Sequence, residues 1–127
     1  MVTDEELCKQ HGVELCLFDA SNWHSQGFYN HTTKVIGIDK NLDPLTRRKT
    51  LLHELGHIEH NPYSYQFNGV KYEAQANRYM IRNLLEETLA TLEDTREFNY
   101  LDFMKCHSLT TVADEMMIIE EYRNLTK

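Results

Sequence analysis

A chain of 127 residues with 41% hydrophobic content is sized for one domain with an apolar core and needs no disulfides to hold it. Its 20 acidic against 13 basic residues give a formal charge of -7, which argues against direct nucleic-acid binding and against docking on an anionic membrane. Cys8, Cys16 and Cys106 form no CxxC pair and leave an odd one over, so they read as reduced thiols serving as small buried hydrophobes. The opening Met1-Val2-Thr3-Asp4-Glu5-Glu6 lacks a basic segment followed by an apolar run, and no stretch approaches membrane-spanning length. A cytoplasmic protein acting as a monomer, with no pro-segment, is the expectation.

A short helix is predicted from Thr3 to His11, with a Thr3 or Asp4 cap, Glu6 in the first turn and a stop at Gly12. The period then changes. Val13, Leu15 and Leu17 alternate, Phe28 and Tyr29 lead into Asn30-His31-Thr32-Thr33, and Val35, Ile36 and Ile38 form a β-branched run. These segments predict a small antiparallel sheet of two to three strands. Asp43-Pro44 is a helix start, and Leu45, Leu51, Leu52, Leu55 and Ile58 continue at helical spacing up to Asn61-Pro62. Asn68-Gly69 reads as a turn, followed by a long helix from about Tyr72 to Leu92 with Ala76, Met80 and Leu84 on one stripe. Helices over about Glu97–Cys106 and Thr111–Leu125 complete an α+β chain, divided into a core over 1–95 and a C-terminal helical segment over 96–127.

The chemistry is concentrated in His53-Glu54-Leu55-Gly56-His57, an HExxH on the predicted helix. Histidines four apart project from one side of a helix while Leu51, Leu55 and Ile58 face the other, so two imidazoles can share one ion. A catalytic zinc usually takes three protein ligands, so a third must come from elsewhere. The pattern HExxHxxGxxH would need Gly and His where this chain has His60 and Tyr63, and that arrangement is excluded. Glu73 is the better candidate. It lies one turn before Asn77 on the stripe of Met80 and Leu84, where a carboxylate is costly unless a cation neutralises it. The competing reading of Glu73 is a solvated residue in the first helical turn. Small Gly56 and Ala76 would let the two helices approach closely. Glu54, next to His53, points beside the metal, where it can act as general base toward the attacking water. Amide hydrolysis without a covalent intermediate follows.

These residues resemble the ImmA/IrrE family of metallopeptidases. The likeness rests on Gly27-Phe28-Tyr29, Val35-Ile36-Gly37-Ile38-Asp39, Arg48 ahead of Leu52-His53-Glu54-Leu55-Gly56-His57-Ile58, the trailing His60, and Glu73-Ala74-Gln75-Ala76-Asn77-Arg78-Tyr79-Met80, over roughly residues 10 to 90. The Glu73 to Asn77 block is similar to the second helix of gluzincins. The resemblance implies a zincin-like core in which His53, His57 and Glu73 hold zinc, Glu54 is the catalytic acid/base and Asn77 orients His53. Manganese or iron could occupy the same ligands. It also implies a protein substrate, a helix-turn-helix repressor of the XRE type, in a phage or mobile-element setting. Val35–Asp39 is expected to pair with the substrate as an edge strand. One departure is Tyr79-Met80 followed by Leu84-Leu85-Glu86-Glu87, where the family usually has Phe-Ala and then Leu-Leu-Met-Pro.

Other residues stay open at this level. His60 reads as a cleft or helix-end residue, and His24, His31 and His107 as surface or loop histidines. One of these three, or Tyr72 or Tyr79, could stabilise the oxyanion. Arg47-Arg48-Lys49 reads as a solvated basic face or a contact for an acidic substrate segment, and Cys8 with His11 is a weak metal signal. Two further functions compete with the peptidase: a non-proteolytic anti-repressor in which zinc is structural, and a peptidase acting on peptidoglycan, which the lack of a leader disfavours.

Overall fold

The structure, a computed structural model, describes residues 1–127. The elements are α1 (Asp4–Gln10), β1 (Glu14–Phe18), β2 (Gly27–Asn30), β3 (Val35–Asp39), α2 (Pro44–Leu55), α3 (Tyr65–Leu89), α4 (Tyr100–Cys106) and α5 (Val112–Leu125). Short 3-10 turns at Pro62–Ser64 and Thr95–Glu97 precede α3 and α4. The α+β class is as expected. Thr3 caps α1 by accepting from the Glu6 backbone N–H, and Asp43 caps α2 by accepting from Thr46 N–H at 2.8 Å, with Pro44 at the first helical position.

The sheet is mixed rather than purely antiparallel. Its order is β1-β3-β2, with β2 antiparallel to β3 and β1 parallel to it, Leu15 lying opposite Ile36 and Leu17 opposite Ile38. The link between β1 and β2 explains the direction of β1. Residues 19–26 are long enough to step across the end of β3, a distance of about two strand spacings or ~10 Å. They are pinned there by the Asp39 carboxylate, which accepts from the backbone N–H groups of Ala20 and Asn41. As a result β3 is the central strand and has no free edge, so the expected substrate pairing on Val35–Asp39 does not fit. β2 is the edge strand on the cleft side.

Ile36 and Ile38 of β3, Leu51 and Leu52 of α2, Ile81, Leu84 and Leu85 of α3 and Ile118 of α5 are fully buried in one continuous core. α2 packs against both the sheet and α3, and α5 packs on α3. Each such side chain contributes about 1.5–3 kcal/mol by leaving water, against at most about 1 kcal/mol for exposed ion pairs such as Arg82–Glu86 and Arg96–Asp94. Burial therefore sets the helix arrangement. Glu121 is buried on α5 and accepts from Arg78 and Arg82 of α3, which fixes the register of that packing.

Further expectations are corrected. α2 ends at Leu55, not near Asn61, and His57 sits in the following turn, where N–H groups of Gly56, His57 and Ile58 bond three residues back. The chain tightens there because Gly56, a weak helix former, lies against α3. Second, α3 begins at Tyr65 and runs straight through Asn68-Gly69. The packing of Tyr65 and Tyr72 against the histidines holds its first turns helical despite a cost of about 1 kcal/mol for Gly69. Third, Arg48 is not a solvated cation. It is 7% exposed and donates to Glu87 at 2.7 Å, Asp4 at 2.8 Å and the Val2 carbonyl at 2.8 Å, binding α1 and α3 to α2. Fourth, only Cys8 is a buried thiol, pushed up to about 11 by its burial and by Asp4 and Glu5, whereas Cys16 and Cys106 are exposed. Likewise His107 is buried against Phe103 rather than a surface histidine.

Replacing Arg48 with Met should destabilise the fold by about 2–4 kcal/mol, because Asp4 and Glu87 lose their common partner in a part-buried setting. Urea unfolding of the two proteins reads this directly. A change below ~0.5 kcal/mol would mean that Arg48 behaves as an ordinary surface cation.

Candidate metal centre

The last turn of α2 presents His53 and Glu54, the turn after it presents His57, and the third turn of α3 presents Glu73 opposite them. Gly56 makes this approach feasible: a Cβ there would lie 2.8 Å from the Ala76 Cα. The His53 Nε2 stands 3.0 Å from Glu73 Oε2, the His57 Nε2 3.1 Å from Glu73 Oε1, and the two Nε2 atoms 3.3 Å apart. All the donor atoms of this group lie within 4.8 Å of one another. Donors bound at about 2.0–2.1 Å to one tetrahedral ion stand ~3.3 Å apart, and the two imidazole nitrogens have that spacing while each faces a different oxygen of Glu73, so the group could hold a single metal ion. The chemistry of the donors agrees, since two neutral imidazole nitrogens and a carboxylate suit zinc and other first-row divalent ions.

The charges around the group are tuned by burial and by each other. Burial by itself would raise the Glu73 carboxyl, but the Tyr65 hydroxyl that donates to it and the two imidazoles outweigh this and hold it below the usual carboxylate range. Tyr65 is correspondingly raised to about 12, by desolvation first and then by its bond to Glu73. His57 is lowered because burial disfavours its charged form more than Glu73 favours it. Burial pushes Glu54 up to about 7, and the Glu73 charge adds to the rise.

Two cavities flank this centre and share Ser25, Gly27, Glu54 and Glu73. One, of ≈ 510 Å³, is polar and includes Lys49, His53, Asn77 and Asp114. The other, of ≈ 340 Å³, includes His24, Phe28, Tyr29, His31, His57 and Tyr65. The cleft therefore runs along β2 with Glu54 at its middle.

A model of the Peptidase_M78 family, described as the IrrE N-terminal-like domain, matches residues 8–118. The chain belongs to this family. No curated protein and no solved structure gives a significant match. Membership in Peptidase_M78, together with the His/His/Glu group that could hold a metal, supports a metallopeptidase-type enzyme. No helix is long and apolar enough to cross a membrane.

Several residues occupy places other than those expected of them. Asn77 lines the polar cavity, but no hydrogen bond joins it to His53, whose Nε2 is turned to Glu73. Tyr79 bonds His11 at 2.9 Å, and Tyr72 bonds Ser64 at 2.7 Å while its ring stacks on His60, so neither hydroxyl is turned to the centre. The tyrosine at the centre is Tyr65, which reading Asn68-Gly69 as a turn had excluded from the helix. Cys8 and His11 form no metal group: Cys8 is in the core, and His11 bonds Leu7 and Tyr79. His24 and His31 line the second cavity.

Replacing Gly56 with Ala should cost about 1–3 kcal/mol by overpacking the α2–α3 contact. It should also weaken zinc binding roughly ten-fold, because Glu73 moves with α3. Urea unfolding of the metal-free protein and competition with a chromophoric chelator measure the two effects. Unchanged zinc affinity in a destabilised variant would separate the helix crossing from the metal centre.

Proposed function

We propose that this protein is a zinc-dependent endopeptidase of the cell interior that cuts one peptide bond in a specific protein, a helix-turn-helix repressor of the XRE type. The observation that carries the reading is the convergence of His53, His57 and Glu73 on one point of an open cleft with Glu54 beside it. In this reading His53, His57 and Glu73 hold the ion. When bound, zinc supplies Lewis-acid chemistry, polarising the scissile carbonyl and making water a nucleophile near neutral pH. Glu54 takes the proton of the attacking water and delivers it to the leaving amine, a task that its place beside His53 on the cleft wall suits. Tyr65 keeps Glu73 ionised and oriented by donating to one of its oxygens.

The shape of the cleft supports a polypeptide substrate. β2 has one edge paired to β3 and one unpaired, and Gly27, Phe28 and Tyr29 along it line the cavities. An extended segment can add to that edge as a further strand. The exposed Tyr63, Phe67 and Val70 beside the start of α3 offer apolar surface for the rest of a folded partner.

The test uses the purified protein with zinc and the helix-turn-helix repressor encoded nearest its gene, followed by intact-mass analysis. Wild type should produce a single cut, and Glu54→Gln should slow it by at least ~100-fold while still binding zinc. Cutting by the variant at the wild-type rate would remove Glu54 from the chemistry. A repressor that stays intact but co-purifies with both proteins would replace proteolysis by sequestration.

A further inference from the structure

His57 is not a free-standing imidazole. Its Nδ1 lies 3.0 Å from the Nδ1 of His60, and the Nε2 of His60 lies 2.8 Å from the side-chain Oε1 of Gln75. His60 is held in this position by stacking on Tyr72, with ring centroids 4.1 Å apart and planes 8° from parallel. Each neutral imidazole has one N–H and one bare nitrogen, so the direction of one hydrogen bond dictates the next. With the Gln75 carbonyl oxygen accepting, His60 donates from Nε2. Its Nδ1 is then bare and must accept, so His57 donates from Nδ1. The Nε2 of His57 is left with its lone pair outward, 3.1 Å from Glu73 and 3.3 Å from the Nε2 of His53.

We infer that Gln75 and His60 are positioning residues that set the His57 tautomer for metal binding through a directed chain of two hydrogen bonds. The inference rests on the metal-site reading above and adds a function for two residues outside the ligand set. Imidazole side chains in water favour the proton on Nε2, the tautomer that cannot bind a metal through that atom. A chain that reverses this preference removes a cost that metal binding would otherwise carry, and outer partners of metal-bound histidines commonly change affinity by 10–100-fold. Gln75 is exposed and His60 partly so, and hydrophobic burial gives neither residue a reason to hold this geometry.

Zinc affinity, measured on the metal-stripped protein by competition with a chromophoric chelator, tests the inference without reference to activity. His60→Phe keeps a ring to stack on Tyr72 but cannot accept from His57, and zinc should bind about 10–100-fold more weakly. Gln75 allows a test of direction, and its exposure spares the fold. Gln75→Glu can only accept and should bind zinc at least as tightly as wild type, whereas Gln75→Lys can only donate, reverses the chain and should weaken binding about ten-fold or more. The same two changes made together with His60→Phe separate the chain from simple charge. If the difference between Glu and Lys disappears in that background the relay is supported, and if it persists undiminished a through-space effect replaces it. His60→Phe with wild-type zinc affinity would overturn the relay alone. Failure of the wild-type protein to bind zinc at all would instead overturn the metal-site reading beneath it.

Discussion

Gly56 and Ala76 meet where α2 passes α3, and the distances at the candidate centre depend on that contact. A hydrogen in place of a methyl at residue 56 lets the backbone of α3 come close enough for Glu73 to reach both histidines. The same closeness ends α2 early and swings His57 into a turn, so that its ring meets His53 from beyond the helix rather than along it. Leu51, Leu52 and Leu55 hold α2 on the core side, and Met80, Ile81 and Leu84 hold α3. The ligand set is thus a by-product of helix packing whose energy comes from elsewhere, chiefly from aliphatic burial at about 1.5–3 kcal/mol per side chain.

The centre itself is electrostatically uncomfortable. Two imidazole nitrogens and a carboxylate face one another, and a second carboxyl, Glu54, stands half-buried nearby with its charged form disfavoured. The imidazoles and the Tyr65 hydroxyl offset the Glu73 charge, and the group left without such compensation is Glu54. A divalent cation at the centre supplies that compensation. Tyr65 and the His60–Gln75 pair fix the surroundings, the first by donating to Glu73 and the second by directing the His57 ring.

The legible parts of the chain were those governed by local rules. The caps at Thr3 and Asp43 lie where short polar residues precede helical spacing, and the pairing of β2 with β3 follows from the turn between them. His53, His57 and Glu73 could be singled out because four-residue spacing and a carboxylate on an apolar stripe are visible in a string of letters. What was misread depends on distant contacts. Arg48 looks like a surface cation until Asp4 and Glu87, respectively 44 and 39 residues away in sequence, are placed around it. The direction of β1 depends on the path of residues 19–26, and the exit of α2 depends on α3. Asn68-Gly69 is a good turn signal, overridden by tertiary packing of the tyrosines that flank it. Tyr65 and Gln75 carried no signal of their own, because their importance comes from which side chains the fold brings beside them.

The central claim is that one ion sits between His53, His57 and Glu73, and anomalous diffraction at the zinc edge from crystals grown with zinc tests it most directly. The account predicts one strong peak per chain within bonding distance of both Nε2 atoms and a Glu73 oxygen, about 2.0–2.2 Å from each. A peak elsewhere, for example among His24, His31 and His60 in the neighbouring cavity, or no peak at saturating zinc, would contradict it.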